Sequence, residues 1–166
     1  MLLSKKEVMH YLPHRDPFLF IDGVKEVTLP EKLKGQKGPF TPQQMVGGKS
    51  VCIFKVDNSV KILEGHFPGN PILPGVVQVE MMAQAASFLA IHCLEKPIEQ
   101  CTLEVLLVGV DSARFKKPVI PPMDLTITAR LSKVRGAIQM YDCEIHANGE
   151  LMSQSNVMAS LKITYH

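Results

Sequence analysis

Several things are scarce or missing in this 166-residue chain, and each absence narrows what it can be. Charge is nearly balanced at +2, and no basic run is interleaved with aromatics, so nothing points to nucleic acid. The start, MLLSKKEVMHYL, places lysines and a glutamate where a secretory signal would need its apolar centre, which implies no export. Glu80, Gln84, Ser87 and His92 interrupt the best candidate for a membrane span. Only four cysteines occur (Cys52, Cys93, Cys101 and Cys143), and none pair at metal-type spacing. They read as small buried hydrophobes in a reducing cytoplasm rather than as disulfides or zinc ligands. His10, His92, His146 and His166 likewise have no carboxylate or cysteine at ligand spacing, so no metal and no cofactor is expected. There is no repeat and no low-complexity tract. What remains is one soluble domain, residues 1–166, with an ordinary 46% apolar and 20% charged composition and enough length for a real core.

The most informative stretch runs from Gly65 to Gln84, GHFPGNPILPGVVQVEMMAQ, with one histidine, one glutamate, three glycines and three prolines. His66 sits in a Gly/Pro-punctuated loop that can be neither regular helix nor central strand. After Pro74-Gly75 the chain turns apolar, which predicts a buried helix from about Gly75 to Cys93. Glu80 falls among valines, methionines and alanines, where burial should raise its pKa. Histidine plus a carboxylic acid held near neutral is equipment for moving two protons at pH 7. Glu80, Gln84 and Ser87 share one helix face at i, i+4 and i+7, either as a solvated edge or as a polar seam facing a buried site.

Elsewhere, Ser4 and Glu7 form a capping box that opens a short helix ending before Pro13. Strands are expected at Phe18–Val27, Lys49–Asp57, Thr102–Val110, Met123–Lys133, Ala137–Ala147 and Leu151–Thr164. Turns are expected at Arg135-Gly136 and Asn148-Gly149, the second with a type I′ signature. Residues 28–48 hold four glycines, three prolines and three lysines, and read as an irregular loop without a core of its own. One long apolar helix amid five or six antiparallel strands is an α+β arrangement.

The Gly65–Gln84 stretch resembles the 3-hydroxyacyl-acyl-carrier-protein dehydratases of bacterial fatty-acid synthesis, which have the hot-dog fold. Two further blocks carry the resemblance in order. Leu12-Pro13-His14-Arg15 with Pro17-Phe18-Leu19 and Asp22 is similar to the family's opening block. Gly109, Asp111, Ala113-Arg114-Phe115-Lys116 and Pro118-Val119 are similar to its third. Glutamate at 80, where the bifunctional dehydratase/isomerase branch has aspartate, favours the dehydratase-only branch. Two departures stand out. Asn58-Ser59-Val60-Lys61-Ile62-Leu63 keeps only the asparagine of an Asn-Glu-x-Phe-Phe block, and residues 28–48 are longer than usual. Pro121-Pro122-Met123-Asp124 also replaces a tighter Pro-Gly-Asp turn.

The resemblance implies an antiparallel sheet wrapped around a central helix and a cytoplasmic enzyme that dehydrates 3-hydroxyacyl thioesters carried on acyl-carrier protein. His66 would take the C2 proton and Glu80 would protonate the departing hydroxyl. It also implies a homodimer in which these two residues meet across the interface, one from each chain, and allows a trimer of dimers. Gly75, at the helix start, would offer its N–H to the thioester oxygen. Phe67 and Val76 would border the substrate, and Gln84, one turn beyond Glu80, would orient it or merely pack. Met81 and Met82 read as core or as lining of an acyl tunnel. Arg114, Lys116 and Lys117 read either as a solvated strand end or as a positive rim that steers an acidic carrier. His14-Arg15 reads as a structural anchor. Residues 28–48 are expected to border the tunnel mouth through Phe40 or Met45, or to be a solvated excursion. Rival readings are a hot-dog hydratase or hydrolase of coenzyme A thioesters, and a non-catalytic acyl-carrier-binding module.

Overall fold

The computed structural model describes residues 1–166, and its centre is the helix read from the sequence. Helix α1 (Lys5–Tyr11) follows the two-residue strand β1 (Leu3–Ser4), and the Glu7 carboxylate accepts hydrogen bonds from Ser4 N–H (2.8 Å) and Ser4 Oγ (2.7 Å). After β2 (Gly23–Thr28) and β3 (Lys49–Val56) comes helix α2 (Gly75–Ser87), prolonged by a 3₁₀ segment, Phe88–Cys93. Four long strands complete the chain: β4 (Cys101–Phe115), β5 (Met123–Arg135), β6 (Ile138–Ala147) and β7 (Glu150–Tyr165). All seven strands form one antiparallel sheet in the order β1-β2-β3-β5-β6-β7-β4.

Alternation along the strands decides which face the helix meets. Leu125, Ile127, Ala129 and Leu131 of β5, with Tyr141, Cys143 and Ile145 of β6, are buried in one cluster with Val77, Met81, Met82, Ala85 and Ala86 of α2. Gly75–Cys93 has the length and apolar character of a membrane span, but it is largely buried within this chain, as the core helix of a sheet should be. Met81 and Met82 are wholly buried core. Asn148 (φ 50°) and Gly149 (φ 76°) both take positive φ, as a two-residue type I′ hairpin requires.

Three expectations need correction. The first strand does not begin at Phe18. The backbone of that segment is paired largely by side chains: Phe20 N–H donates to Gln84 Oε1 and Phe18 O accepts from Gln84 Nε2. Asp22 then takes Lys55 N–H on its carboxylate, and the ladder starts only at Gly23. Second, β4 runs five residues past Val110, with register shifts at Leu107/Gly109 and Asp111/Arg114. Third, residues 28–48 are not a solvated excursion but join the common core. Leu33, Phe40 and Met45 are all buried, and Phe40 N–H donates to His92 O at 2.9 Å. Met45 and Pro42 close a small apolar cavity of about 100 Å³ with Leu89, Ala90, Cys93 and Leu131, at the C-terminal end of the central helix.

Candidate active site

His66 follows a 3₁₀ turn, Lys61–Gly65, and leads a loop closed by Ile72 N–H donating to His66 O (2.9 Å) and Leu73 N–H donating to Val119 O (2.9 Å). Its ring is half-buried, stacks on Phe67 at 4.0 Å between centroids, and lies with Nδ1 2.7 Å from Ile72 O. A carbonyl oxygen can only accept, so Nδ1 carries the hydrogen and the Nε2 lone pair is free. This is the tautomer a base needs.

Around that ring lies an open groove of about 410 Å³, bordered by Ile72, Leu73, Gly75, Gln78, Phe115, Lys116, Lys117 and Pro118. Gly75 is the first residue of α2, and neither it nor Val76 donates its backbone N–H to any acceptor in the chain. Two unpaired donors and the positive end of a 13-residue helix therefore open into the groove's border. Val76 is 78% exposed, and Phe67, stacked on His66 by one face, is half-exposed.

Glu80 is not part of that groove. Gln78 lines it, and a residue two positions further along a helix points about 200° away. Glu80 instead faces the segment after α1. Its Oε1 accepts from Gln84 Nε2 (2.9 Å) and lies 3.2 Å from His14 Nε2, and Oε2 has no partner within the chain. Burial pushes this carboxyl up, but the contacts from His14 and Gln84 outweigh burial and hold it below its ordinary value of 4.5. The expectation of a raised pKa is thus overturned in direction: burial acts as argued, and two polar neighbours exceed it.

The polar face of α2 is a seam and not a solvated edge, since Gln84 and Ser87 are fully buried. Gln84 binds Phe18 O, Phe20 N–H and Glu80 at once, and Ser87 Oγ donates to Gln84 O at 2.6 Å. His14, expected from sequence to be a structural anchor, is the residue that meets Glu80. Its signal was present in Leu12-Pro13-His14-Arg15, but nothing local says that this loop meets α2. Lys116 and Lys117 stand on the His66 groove, Lys117 also pairing with Glu150 at 2.9 Å, whereas Arg114 is exposed and turned onto its neighbour's carbonyl, Ala113 O. Residues 28–48 lie away from this groove. Leu89, which Met45 touches, is some 21 Å along the helix from Gly75.

Comparison with known proteins gives the family and the fold. Residues 41–155 match the ApeI-like family, described as ApeI dehydratase. The FabZ 3-hydroxyacyl-[acyl-carrier-protein] dehydratase of Thiobacillus denitrificans is 34% identical over 95% of this chain and 96% of its own length. That of Teredinibacter turnerae is 31% identical over 98% and 99%. The chain belongs to the 3-hydroxyacyl-[acyl-carrier-protein] dehydratase family. A bifunctional LpxC/FabZ enzyme of Chlorobaculum tepidum is also 34% identical, over 93% of this chain and 29% of its own length. Among solved structures, the ApeI:P dehydratase heterocomplex of Xenorhabdus doucetiae superposes with a TM-score of 0.64 at 17% identity, covering 93% of this chain and 90% of that one. A Thermus thermophilus thioesterase superfamily member gives 0.56 at 21% identity, covering 70% and 82%. Both share the hot-dog fold.

Proposed function

We propose that this dehydratase removes water from 3-hydroxyacyl thioesters on acyl-carrier protein to give trans-2-enoyl thioesters for fatty-acid synthesis, using His66 and Glu80 from different chains of a homodimer. The observation that carries this is the pairing of a base-competent His66 Nε2 with a Glu80 that its own chain directs elsewhere.

His66 Nε2 takes the C2 proton, and Ile72 O stabilises the imidazolium through Nδ1–H. The electron pair moves toward the thioester carbonyl, whose oxygen is met by the free Gly75 N–H at the helix start. It then returns to form C2=C3 as the C3–O bond breaks, and the hydroxyl leaves as water with a proton from Glu80. The proton on His66 returns to Glu80 through solvent, so the cycle is neutral.

A dimer is supported by the free edge of the sheet. Leu106, Leu107, Val108 and Val110 of β4 are exposed on a strand paired on one side only, an edge that soluble proteins cover. Val76 and Phe67 would then meet the partner or the acyl chain, and dimers can assemble further into hexamers. Lys116, Lys117 and Arg114 would face the acidic carrier and its phosphate-bearing arm.

Glu80's lowered pKa gives one rival a foothold, because a carboxylate base suits thioester hydrolysis. Turnover separates the two. Incubation with 3-hydroxyacyl-carrier protein should yield enoyl product without free thiol, and His66→Ala and Glu80→Gln should each lose on the order of 10²–10⁴-fold in rate. Thiol release without enoyl product would make the protein a hydrolase, and no turnover of either kind would make it a binding module.

A further inference from the structure

We infer that His14 is a positioning residue for the dehydration: together with Gln84 it engages Oε1 of Glu80, leaving Oε2 as the oxygen that delivers the proton. This rests on Glu80 being the acid, and goes beyond it by assigning the atom and the group that selects it.

The argument starts from hydrogen-bond capacity. His14 Nδ1 is buried with no partner, whereas Nε2 lies 3.2 Å from Glu80 Oε1. A hydrogen on Nδ1 would be a buried donor without an acceptor, and it would leave the Nε2 lone pair against the oxygen's lone pairs. The Nε2–H tautomer avoids both penalties and donates to Oε1. Gln84 Nε2–H donates to the same oxygen at 2.9 Å, and the amide cannot turn over because its Oε1 already accepts Phe20 N–H. Whenever Glu80 takes up a proton, the oxygen already facing two N–H groups is the carbonyl oxygen, so the acidic hydrogen goes to Oε2, which has no partner in the chain.

The imidazole is itself held in place. Arg15, next in sequence, donates to the carbonyl oxygens of Met9 (2.9 Å), Leu12 (2.8 Å) and His14 (2.7 Å), pinning the turn after α1. Its charge is thus spent on backbone and turned from Glu80. His14 is the titratable side chain that bears on Glu80 within the chain, and in the proposed dimer His66 faces it from the other subunit.

Three variants test this: His14→Gln, which keeps an N–H near the Nε2 position, His14→Phe, which keeps the ring shape without a donor, and Glu80→Gln. His14→Phe should lose kcat by on the order of tenfold to 10²-fold with little change in KM. Its alkaline activity limb should move to higher pH, because removing a donor raises the pKa of the acid. His14→Gln should recover most of kcat. On the folded proteins, carbon-13 NMR of glutamate carboxyls should show the Glu80 signal, identified by its loss in Glu80→Gln, titrating higher in His14→Phe than in wild type or His14→Gln. A His14→Phe enzyme with unchanged kcat and unmoved Glu80 titration would overturn the inference, as would His14→Gln impaired as deeply as His14→Phe. An active Glu80→Gln would instead remove the acid assignment beneath it.

Discussion

Gly75 lies under the ring of Phe115: a Cβ at position 75 would stand 2.9 Å from both Cε1 and Cζ of that ring. The helix start and the end of β4 therefore share the border of the His66 groove only because residue 75 has no side chain. The room a side chain would need is taken by the protein's own aromatic. Phe115 is half-exposed, so it can give way, and Gly75→Ala should fold with little change in Tm while activity falls several-fold. Gly75→Ala/Phe115→Ala should recover part of that loss. A double variant no better than Gly75→Ala would mean that the glycine serves the substrate directly.

Gln84 bears more of the structure than an orienting amide would. Replacing it with alanine strips Phe20 N–H and Phe18 O of their partners in the core, and one buried unpaired donor costs about 1–3 kcal/mol. The same change removes a contact that lowers the Glu80 pKa. Urea denaturation should show the stability loss, and the alkaline limb of kcat should shift upward in what remains active. A stable Gln84→Ala with an unmoved limb would argue that the seam is only packing.

Glu80 also links stability to acidity. Its folded pKa lies below the ordinary 4.5, so the native state binds this proton less readily than the unfolded chain. Its contribution is complete above that ordinary value and is lost as pH falls through the lowered folded value. Glu80→Gln should therefore flatten the acid limb of the stability curve, measured by Tm from pH 6 down to pH 3. An acid limb as steep as wild type would place the linkage on other carboxylates.

Residues 28–48 should resist simplification. Excising 31–46 for a short Gly-Ser linker would remove Leu33, Phe40 and Met45 from the core, and Phe40→Ala alone should cost about 3–5 kcal/mol. Sequence composition suggests the opposite, that such a swap spares stability. A Tm within a degree of wild type would restore that reading.

These cases show how far the residues spoke for themselves. Periodicity and turn chemistry exposed the central helix, the last three strands and the Asn148-Gly149 hairpin, because those signals are local. The Gly65–Gln84 block singled out His66, Glu80 and Gln84 as candidates. What stayed hidden depends on contacts between distant segments. His14 reaches Glu80 only after the chain has passed through two strands, and that contact reverses the direction in which burial alone would move the carboxyl. Phe18–Ile21 look like a strand by composition but have their backbone taken by Gln84. Phe40 and Met45 sit among glycines and prolines, which hides the fact that the central helix ends against them.

The central claim is that proton abstraction and proton donation come from two chains, and mixing inactive enzymes tests it most directly. His66→Ala and Glu80→Gln proteins, each inactive and each folded, should be combined, allowed to exchange subunits, and assayed with 3-hydroxyacyl-carrier protein. Each heterodimer then holds one intact His66/Glu80 site and one site lacking both. The account predicts recovered turnover approaching a quarter of wild type for random exchange, since half the dimers carry one working site. No recovery after exchange has been verified by mass spectrometry would contradict it and return both residues to a single chain.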